Sequence, residues 1–230
     1  MRDTCIIVAT DREAEIIKGI VKTDRLIVSG IGAKGVKKAV NWAETRGLKH
    51  IISFGTAGGL SPELKKGDVV IPKKIAGYKE KAVTVDLEWH KRVLSLLKKA
   101  PFSLSTEALL SVESVVAEPV RKKRLYIETG CVSLDMESYP IACACLEKKM
   151  HFLCIRAIAD TYAMKIPDWL HLCINSSGQF LLDKFIKELL KHPFHTKEVI
   201  CIGCGFFKAR KSLRYVMNRI NSALPDRALP

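Results

Sequence analysis

HFLCIRAIAD, residues 151–160, is a run of aliphatic and branched side chains broken by one arginine and closed by one aspartate. It holds no glycine and no proline, and its apolar residues follow one another without polar alternation. That continuity predicts a strand covered on both faces, as in a parallel sheet. Five further runs share the character: CIIVAT (5–10), RLIVSG (25–30), HIISFGT (50–56), DVVIP (68–72) and CVSLDM (131–136). Between and after them, amphipathic spacing predicts helices over 11–22, 33–47, 89–99, 118–129 and 137–149. In 33–47, Val36, Ala39, Val40 and Ala43 form one stripe and Gly47 supplies a C-terminal stop. Alternating strands and helices predict an α/β fold around a largely parallel central sheet. In such sheets ligands bind outside the carboxyl ends of the strands, so chemistry is sought just after each run.

The chain has 230 residues, 48% hydrophobic and 27% charged. This ordinary globular composition excludes a disordered chain, a collagen-like chain and a coiled-coil rod, and the length suits one large core. No run approaches the ~18 uncharged apolar residues that a membrane-spanning helix needs. The apolar run before Asp11, Arg12 and Glu13 is too short for a secretory signal. Eight cysteines, Cys5, Cys131, Cys143, Cys145, Cys154, Cys173, Cys201 and Cys204, sit mostly in apolar runs. They read as small buried hydrophobes of a reduced cytoplasm. Cys201-x-x-Cys204 has no second pair at a finger-like distance, so helix packing is expected there in place of zinc or redox work.

Lys and Arg number 38 against 24 Asp and Glu, a net charge of +14. The surplus predicts attraction to something anionic. Pro167 and Pro193 punctuate two further helical stretches, 169–191 and 196–222. Gly205–Asn221 holds Lys208, Arg210, Lys211, Arg214 and Arg219 and no acid. Phe206, Ala209, Leu213, Val216, Met217 and Ile220 keep helical spacing there. The prediction is a main domain over 1–190 and a C-terminal extension over 191–230 carrying a basic amphipathic helix. An anionic membrane surface suits Gly205–Asn221, because apolar burial and roughly 1 kcal/mol per basic residue add up there. Arg121-Lys122-Lys123-Arg124 has no interleaved aromatics and reads as a solvated helix face, so nucleic acid is not an expected partner.

Gly30-Ile-Gly32-Ala-Lys-Gly35 fits the dinucleotide fingerprint G-x-G-x-x-G. That reading needs an acid at the end of the next strand, where HIISFGT ends in Gly55 and Thr56, and the motif follows the second strand instead of the first. A tight strand-to-helix turn is the better account, with phosphate or sugar contact open at the helix N-terminus.

Four strand ends carry polar residues that a core would not take. They are Thr10-Asp11-Arg12-Glu13, Gly55-Thr56-Ala57-Gly58-Gly59-Leu60, Leu134-Asp135-Met136-Glu137-Ser138 and the Arg156 to Asp160 segment. Singly, each has a structural account. Glu13 and Glu137 suit the first turn of a helix, Gly58-Gly59 suits a turn, and Arg156 with Asp160 suits an ion pair. Gathered at one edge of one sheet they read as an active site.

In this order, over residues 3 to about 165, these pieces resemble the nucleoside phosphorylase and nucleosidase family, which cleaves N-glycosidic bonds of nucleosides. The chain is most similar to the methylthioadenosine/adenosylhomocysteine nucleosidase branch. The stretch from Ile155 through Ala163-Met164 and Pro167, with the tail Phe207-Lys-Ala-Arg-Lys-Ser-Leu, resembles the hopanoid-associated members linked to adenosylhopane. The resemblance implies a three-layer α/β/α domain with a twisted mixed sheet, no cofactor, no metal, and a homodimer. It implies that Asp160 protonates the purine, that Glu13 takes a proton from the attacking water, and that Arg156 orients Glu137 and the water. Glu137 would grip the ribose hydroxyls and Met136 would pack on the sugar. Thr56, Ala57 and Gly58 would shape the water or sugar site. Val115 and Val116 stand where the family has its base-binding strand, without the aromatic residue that often stacks on the base there.

These roles make physical sense. Adenine leaves poorly as an anion, so a carboxyl kept neutral by burial must supply a proton. The transition state carries positive charge on the sugar, which carboxylates stabilise. Family phosphorylases usually place an arginine where this chain has Ser53, so water is the expected nucleophile, with Lys34 as a substitute charge if phosphate is used. Release of adenine from an adenosyl compound is thus the expected activity. The alternatives are a phosphate-dependent phosphorylase, a basic membrane- or RNA-binding module with a decayed site, and a dinucleotide-dependent oxidoreductase.

Overall fold

A computed structural model describes residues 3–173 and 181–223. In chain order the strands are β1 (Thr4–Val8), β2 (Leu26–Val28), β3 (His50–Gly59), β4 (Val69–Val70), β5 (Lys74–Gly77), β6 (Val83–Thr84), β7 (Leu104–Ser105), β8 (Leu109–Ser111), β9 (Ser133–Asp135) and β10 (His151–Asp160). The helices are α1 (Asp11–Ile17), α2 (Ala33–Thr45), α3 (Leu87–Leu96), α4 (Pro119–Thr129), α5 (Ser138–Glu147), α6 (Leu182–Lys191) and α7 (Thr196–Ala223).

One mixed sheet runs β6-β5-β8-β9-β3-β10-β4-β7, with β1 and β2 branching from β3. β3 and β10 are its spine. They pair in parallel from His50 beside His151 to Gly58 beside Asp160, and the register slips between Ile158 and Asp160. A bulge there turns the end of β10 and re-aims its last side chain. β9 runs antiparallel to the far end of β3, setting Leu134 beside Gly58. The ends of β3, β9 and β10 therefore meet. The core is made by the continuous apolar runs, with Ile6, Ile51, Ile52, Leu153 and Ile155 at 0% exposure. α2 and α5 pack together against the sheet, while α7 lies along β10 and meets α1 and α3.

The expected α/β fold with its mixed sheet is present, and several boundaries differ. The helix expected over 11–22 stops at Ile17, because Lys18 turns extended and Gly19 takes φ +80°. Of the run 68–72, only Val69 and Val70 join the ladder. β5 to β8 are short strands with too few residues to show a period. The helix expected over 169–191 becomes a 3-10 segment, Asp168–Cys173, and α6, with 174–180 outside the described residues.

The largest correction concerns α7. Ala209, Leu213, Val216, Met217 and Ile220 are all at 0% exposure, inside the main core. Gly205 crosses β10 so closely that a Cβ would stand 1.8 Å from the Ala159 carbonyl oxygen. Ser212 Oγ donates to the Gly67 carbonyl at 2.6 Å, and Arg214 Nη1 to that of Ile16 at 3.0 Å. The apolar stripe serves the core, so it is not offered to a bilayer, and α7 packs on the main domain; of the extension expected over 191–230, residues 224–230 lie outside the described residues. The physical reason is that β10, apolar on both faces, needs a cover. Cys201 and Cys204 are exposed on α7, not packed, whereas Cys5, Cys131, Cys145, Cys154 and Cys173 are buried.

Candidate active site

Glu13 is placed by local sequence. Thr10 caps α1, its side chain accepting from the Glu13 amide at 3.3 Å. Glu13 thereby sits in the first turn with its carboxylate folded back over the end of β1. Oε2 accepts from the Ala9 amide at 3.0 Å, while Oε1 accepts from the Thr56 amide at 2.7 Å and the Thr56 hydroxyl at 3.1 Å. Gly55 makes room: a Cβ there would lie 2.3 Å from Glu13 Oε1 and 2.6 Å from Arg156 Nη1. One end of Glu13 and the guanidinium thus converge over a bare stretch of β3.

Glu137 comes from the end of β9. Its Oε1 accepts the Gly32 amide at 2.9 Å. The Gly30-Ile-Gly32 segment is the tight turn expected, with φ +79° at Gly30 and +78° at Gly32. Gly35 is required by the close approach of α2 to Ser29, whose carbonyl oxygen would be 1.6 Å from a Cβ. The turn's amide at the start of α2 meets a carboxylate of the chain itself. Burial pushes the Glu137 carboxyl up to about 7, Asp135 adds to the rise, and Arg156 and the Gly32 amide oppose it.

Arg156 is 2% exposed and fully partnered on one side. Nε and Nη2 both reach Asp135 Oδ2 at 2.8 Å. Nη2 also donates to Ser53 Oγ at 2.7 Å and Ser138 Oγ at 3.1 Å. Burial works against the guanidinium charge, but Asp135 and then Glu13 and Glu137 hold it protonated. Arg156 is expected to orient Glu137 and the water, and the bonds described for it run to Asp135, Ser53 and Ser138. Arg156 is anchored on Asp135, and it acts on Glu13 and Glu137 through its charge. The sequence reading gave Asp135, Ser53 and Ser138 no such part. A buried aspartate two residues before Glu137 in a strand end was the available signal.

Asp160 closes β10, with Gly58 beneath it; a Cβ at Gly58 would meet its Oδ2 at 3.1 Å. Oδ2 is paired with the Lys122 ammonium, which reaches it from α4. Lys122 Nζ also donates to the carbonyls of Thr161 at 3.0 Å and Met164 at 3.1 Å. Burial raises the Asp160 carboxyl above the ordinary range against the pull of Lys122 and Lys66. The basic run 121–124 is therefore not all solvated face, for Lys122 is at 0% exposure. It lies three residues before buried Leu125 on the inward side of α4, and that spacing was the missed signal.

Ala57 and Gly58 are buried and Met136 and Thr56 half-buried at the same strand ends. Val115 and Val116 lie in the loop between β8 and α4 instead of on a strand, Val115 exposed and Val116 buried. The side chain of Lys34 is outside what the structure describes. The arrangement gathers two carboxylates and a guanidinium at the strand ends, with a buried acid of raised pKa at the end of β10.

The model of the Phosphorylase superfamily matches residues 7–186. The chain belongs to that superfamily. Among curated proteins, the chain is 27% identical over 157 residues to the 5'-methylthioadenosine/S-adenosylhomocysteine nucleosidase of Buchnera aphidicola, covering 59% of this chain and 65% of that protein. It is 24% identical over 187 residues to the nucleosidase of the same name from Colwellia psychrerythraea, covering 69% and 76%. The fold is shared with a solved structure, that of the Neisseria meningitidis 5'-methylthioadenosine/S-adenosylhomocysteine nucleosidase in complex with methylthio-immucillin-A. There the TM-score is 0.74 at 17% identity, over 97% of this chain and 100% of that one. Futalosine hydrolase of Helicobacter pylori gives 0.72 at 12% identity, over 96% and 97%. The superfamily model leaves α7 out, although α7 completes this chain's core.

Proposed function

We propose that the chain is a hydrolase that releases adenine from an adenosyl nucleoside. The carrying observation is the convergence of Glu13, Glu137, Arg156 and Asp160 at the ends of β1, β3, β9 and β10. Glu13, held by the Thr56 and Ala9 amides, takes a proton from water as it attacks the sugar. Glu137 accepts from the ribose hydroxyls, a charge-assisted bond strengthened by burial. Asp160 gives a proton to the purine, so that the base leaves neutral. Positive charge that develops on the sugar ring is balanced by Glu13 and Glu137. Met136, Ala57 and Gly58 line the sugar, and Val115 and Val116 meet the base from the loop before α4.

Water is favoured over phosphate because Ser53 occupies the place of a phosphate-binding arginine and its hydroxyl is engaged by Arg156. The names of the curated relatives agree with hydrolysis. The substituent on the ribose 5-position is methylthio, homocysteinyl or a lipid such as the hopane of adenosylhopane, with 76–90 and 161–173 shaping its pocket; the remainder of the stretch 161–180 expected there lies outside the described residues. The protein works in the cytoplasm as a homodimer. The exposed side chains of Lys208, Arg210, Lys211 and Arg219 support a purely electrostatic contact of α7 with an anionic membrane. No helix among the described residues is long and apolar enough to cross one.

The test is incubation with methylthioadenosine, adenosylhomocysteine and an adenosyl-lipid, with and without phosphate, following free adenine. Adenine without phosphate is expected. No adenine from any of the three sinks the proposal, and adenine only with phosphate reverses the choice of nucleophile.

A further inference from the structure

Lys122 is at 0% exposure, yet it carries an amine into the protein interior. Such a group stays only where its hydrogens and charge are met. Three acceptors surround Nζ: Asp160 Oδ2 and the carbonyls of Thr161 and Met164. Carbonyl oxygens only accept, so two N–H bonds are committed to them. The third direction faces the carboxyl. It is satisfied in two ways, by an ammonium beside a carboxylate or by an amine lone pair beside a carboxylic acid. Both forms are neutral as a pair and differ only in where one proton sits between Nζ and Oδ2.

This matters because a cation bonded to a carboxyl normally keeps it ionised, and an ionised Asp160 has no proton for a departing base. The conflict disappears if the cation itself can surrender a proton. An arginine could not, because a guanidinium keeps its proton. We propose that Lys122 is the proton reserve behind Asp160, so that the pair, and not the aspartate alone, acts as the acid. The inference rests on the adenine-releasing reading. As the bond from the sugar carbon to the purine breaks, its electrons pass to the base. Asp160 takes the proton at the Oδ2 shared with Lys122 and delivers one to the purine ring nitrogen. Lys122 is left as an amine and Asp160 as a carboxylate. Water supplies hydroxide to the sugar carbon and its other proton to Glu13. Exchange with solvent then removes the Glu13 proton and returns one to the pair. Lys122 touches Asp160 and no substrate atom, so it is a positioning residue.

The other charged groups facing the pair are few. Lys66 acts on Asp160 from the segment before β4. Asp68 is occupied by the Lys65 amide at 2.8 Å. Glu118, at the start of α4, is paired with Lys165 at 2.9 Å. On α4 itself, Arg121, Lys123 and Arg124 point to solvent. None of them bonds Asp160, whose carboxyl takes a side-chain donor from Lys122 and is also met by its own backbone N–H.

The experiment is the pH dependence of kcat/KM for adenine release by the unaltered protein, Lys122→Met and Lys122→Arg, with thermal melts as the control for folding. A pair that shares one proton keeps it to higher pH than a lone carboxyl does, since an ammonium is the weaker acid. Both variants should lose activity from lower pH upward, with a deficit of about tenfold or more at pH 8 that narrows toward pH 5. Lys122→Arg keeps the charge and so guards against a result due to misfolding of Lys122→Met. A basic limb that moves to higher pH in Lys122→Met shows that the lysine only restrained the acid, and overturns the inference. So does a limb unmoved in Lys122→Arg. If the unaltered protein releases no adenine, the adenine-releasing reading fails and takes this inference with it. Adenine release with unmoved limbs overturns this inference alone.

Discussion

The two ends of the candidate site hold carboxylates by opposite means. On the side proposed for the sugar, Glu13 and Glu137 accept backbone amides from Ala9, Thr56 and Gly32, and Arg156 lends charge from its anchor on Asp135. On the side proposed for the purine, Asp160 is bonded by one buried lysine side chain beside its own backbone N–H. Burial lifts both Glu137 and Asp160, so desolvation does not distinguish the ends. The cation does. A guanidinium offers a fixed positive charge that suits stabilisation of charge on a sugar, whereas an ammonium also offers a proton that suits a departing base. On the proposed reading, one edge of one sheet carries a permanent electrostatic half and a proton-transferring half.

The sharpest break in that contrast is Asp160→Asn. It removes the proposed proton donor and should lower adenine release by about 10³-fold, with an unchanged circular dichroism spectrum. An active variant would refute the leaving-group role. Gly55→Ala attacks the other half. Its Cβ meets Glu13 and Arg156, so kcat/KM should fall by about 10²-fold, with about 1–3 kcal/mol of stability lost to overpacking. Retained activity would show that the two groups need not converge. Gly205→Ala presses α7 against Ala159, one residue before Asp160. It should cost about 1–3 kcal/mol in denaturant unfolding and weaken turnover through the purine side. A neutral result would mean that α7 is not tightly seated.

The smallest effect is a pH drift in stability. The Glu137 carboxyl is lifted from 4.5 to about 7, so the folded protein binds that proton more tightly than the unfolded chain does. The stabilisation is fully present below about 4.5 and is lost as pH rises through about 7. Glu137→Gln should therefore flatten the melting temperature across that interval and raise it relative to the unaltered protein at pH 8. A slope that persists assigns the drift to another group.

What was legible in the chain followed from periodicity and strand ends. Continuous apolar runs such as 50–56 and 151–160 gave the sheet, and Glu13, Glu137, Arg156 and Asp160 stood out because polar residues close those runs. β5 to β8 escaped because strands of two to four residues carry no period. Asp135 and Ser53 escaped because their value lies in bonding Arg156 from different strands.

The sequence by itself determined the alternation of strands and helices, the class of fold and the identity of most polar groups at the sheet edge, because local spacing and composition encode burial one residue at a time. Only the tertiary structure decided where two basic segments spend themselves. Lys122 turned inward to Asp160, and the apolar stripe of α7 turned onto β10 in place of a membrane. A helical stripe or a buried charge states that a partner is needed, and long-range packing alone selects which one.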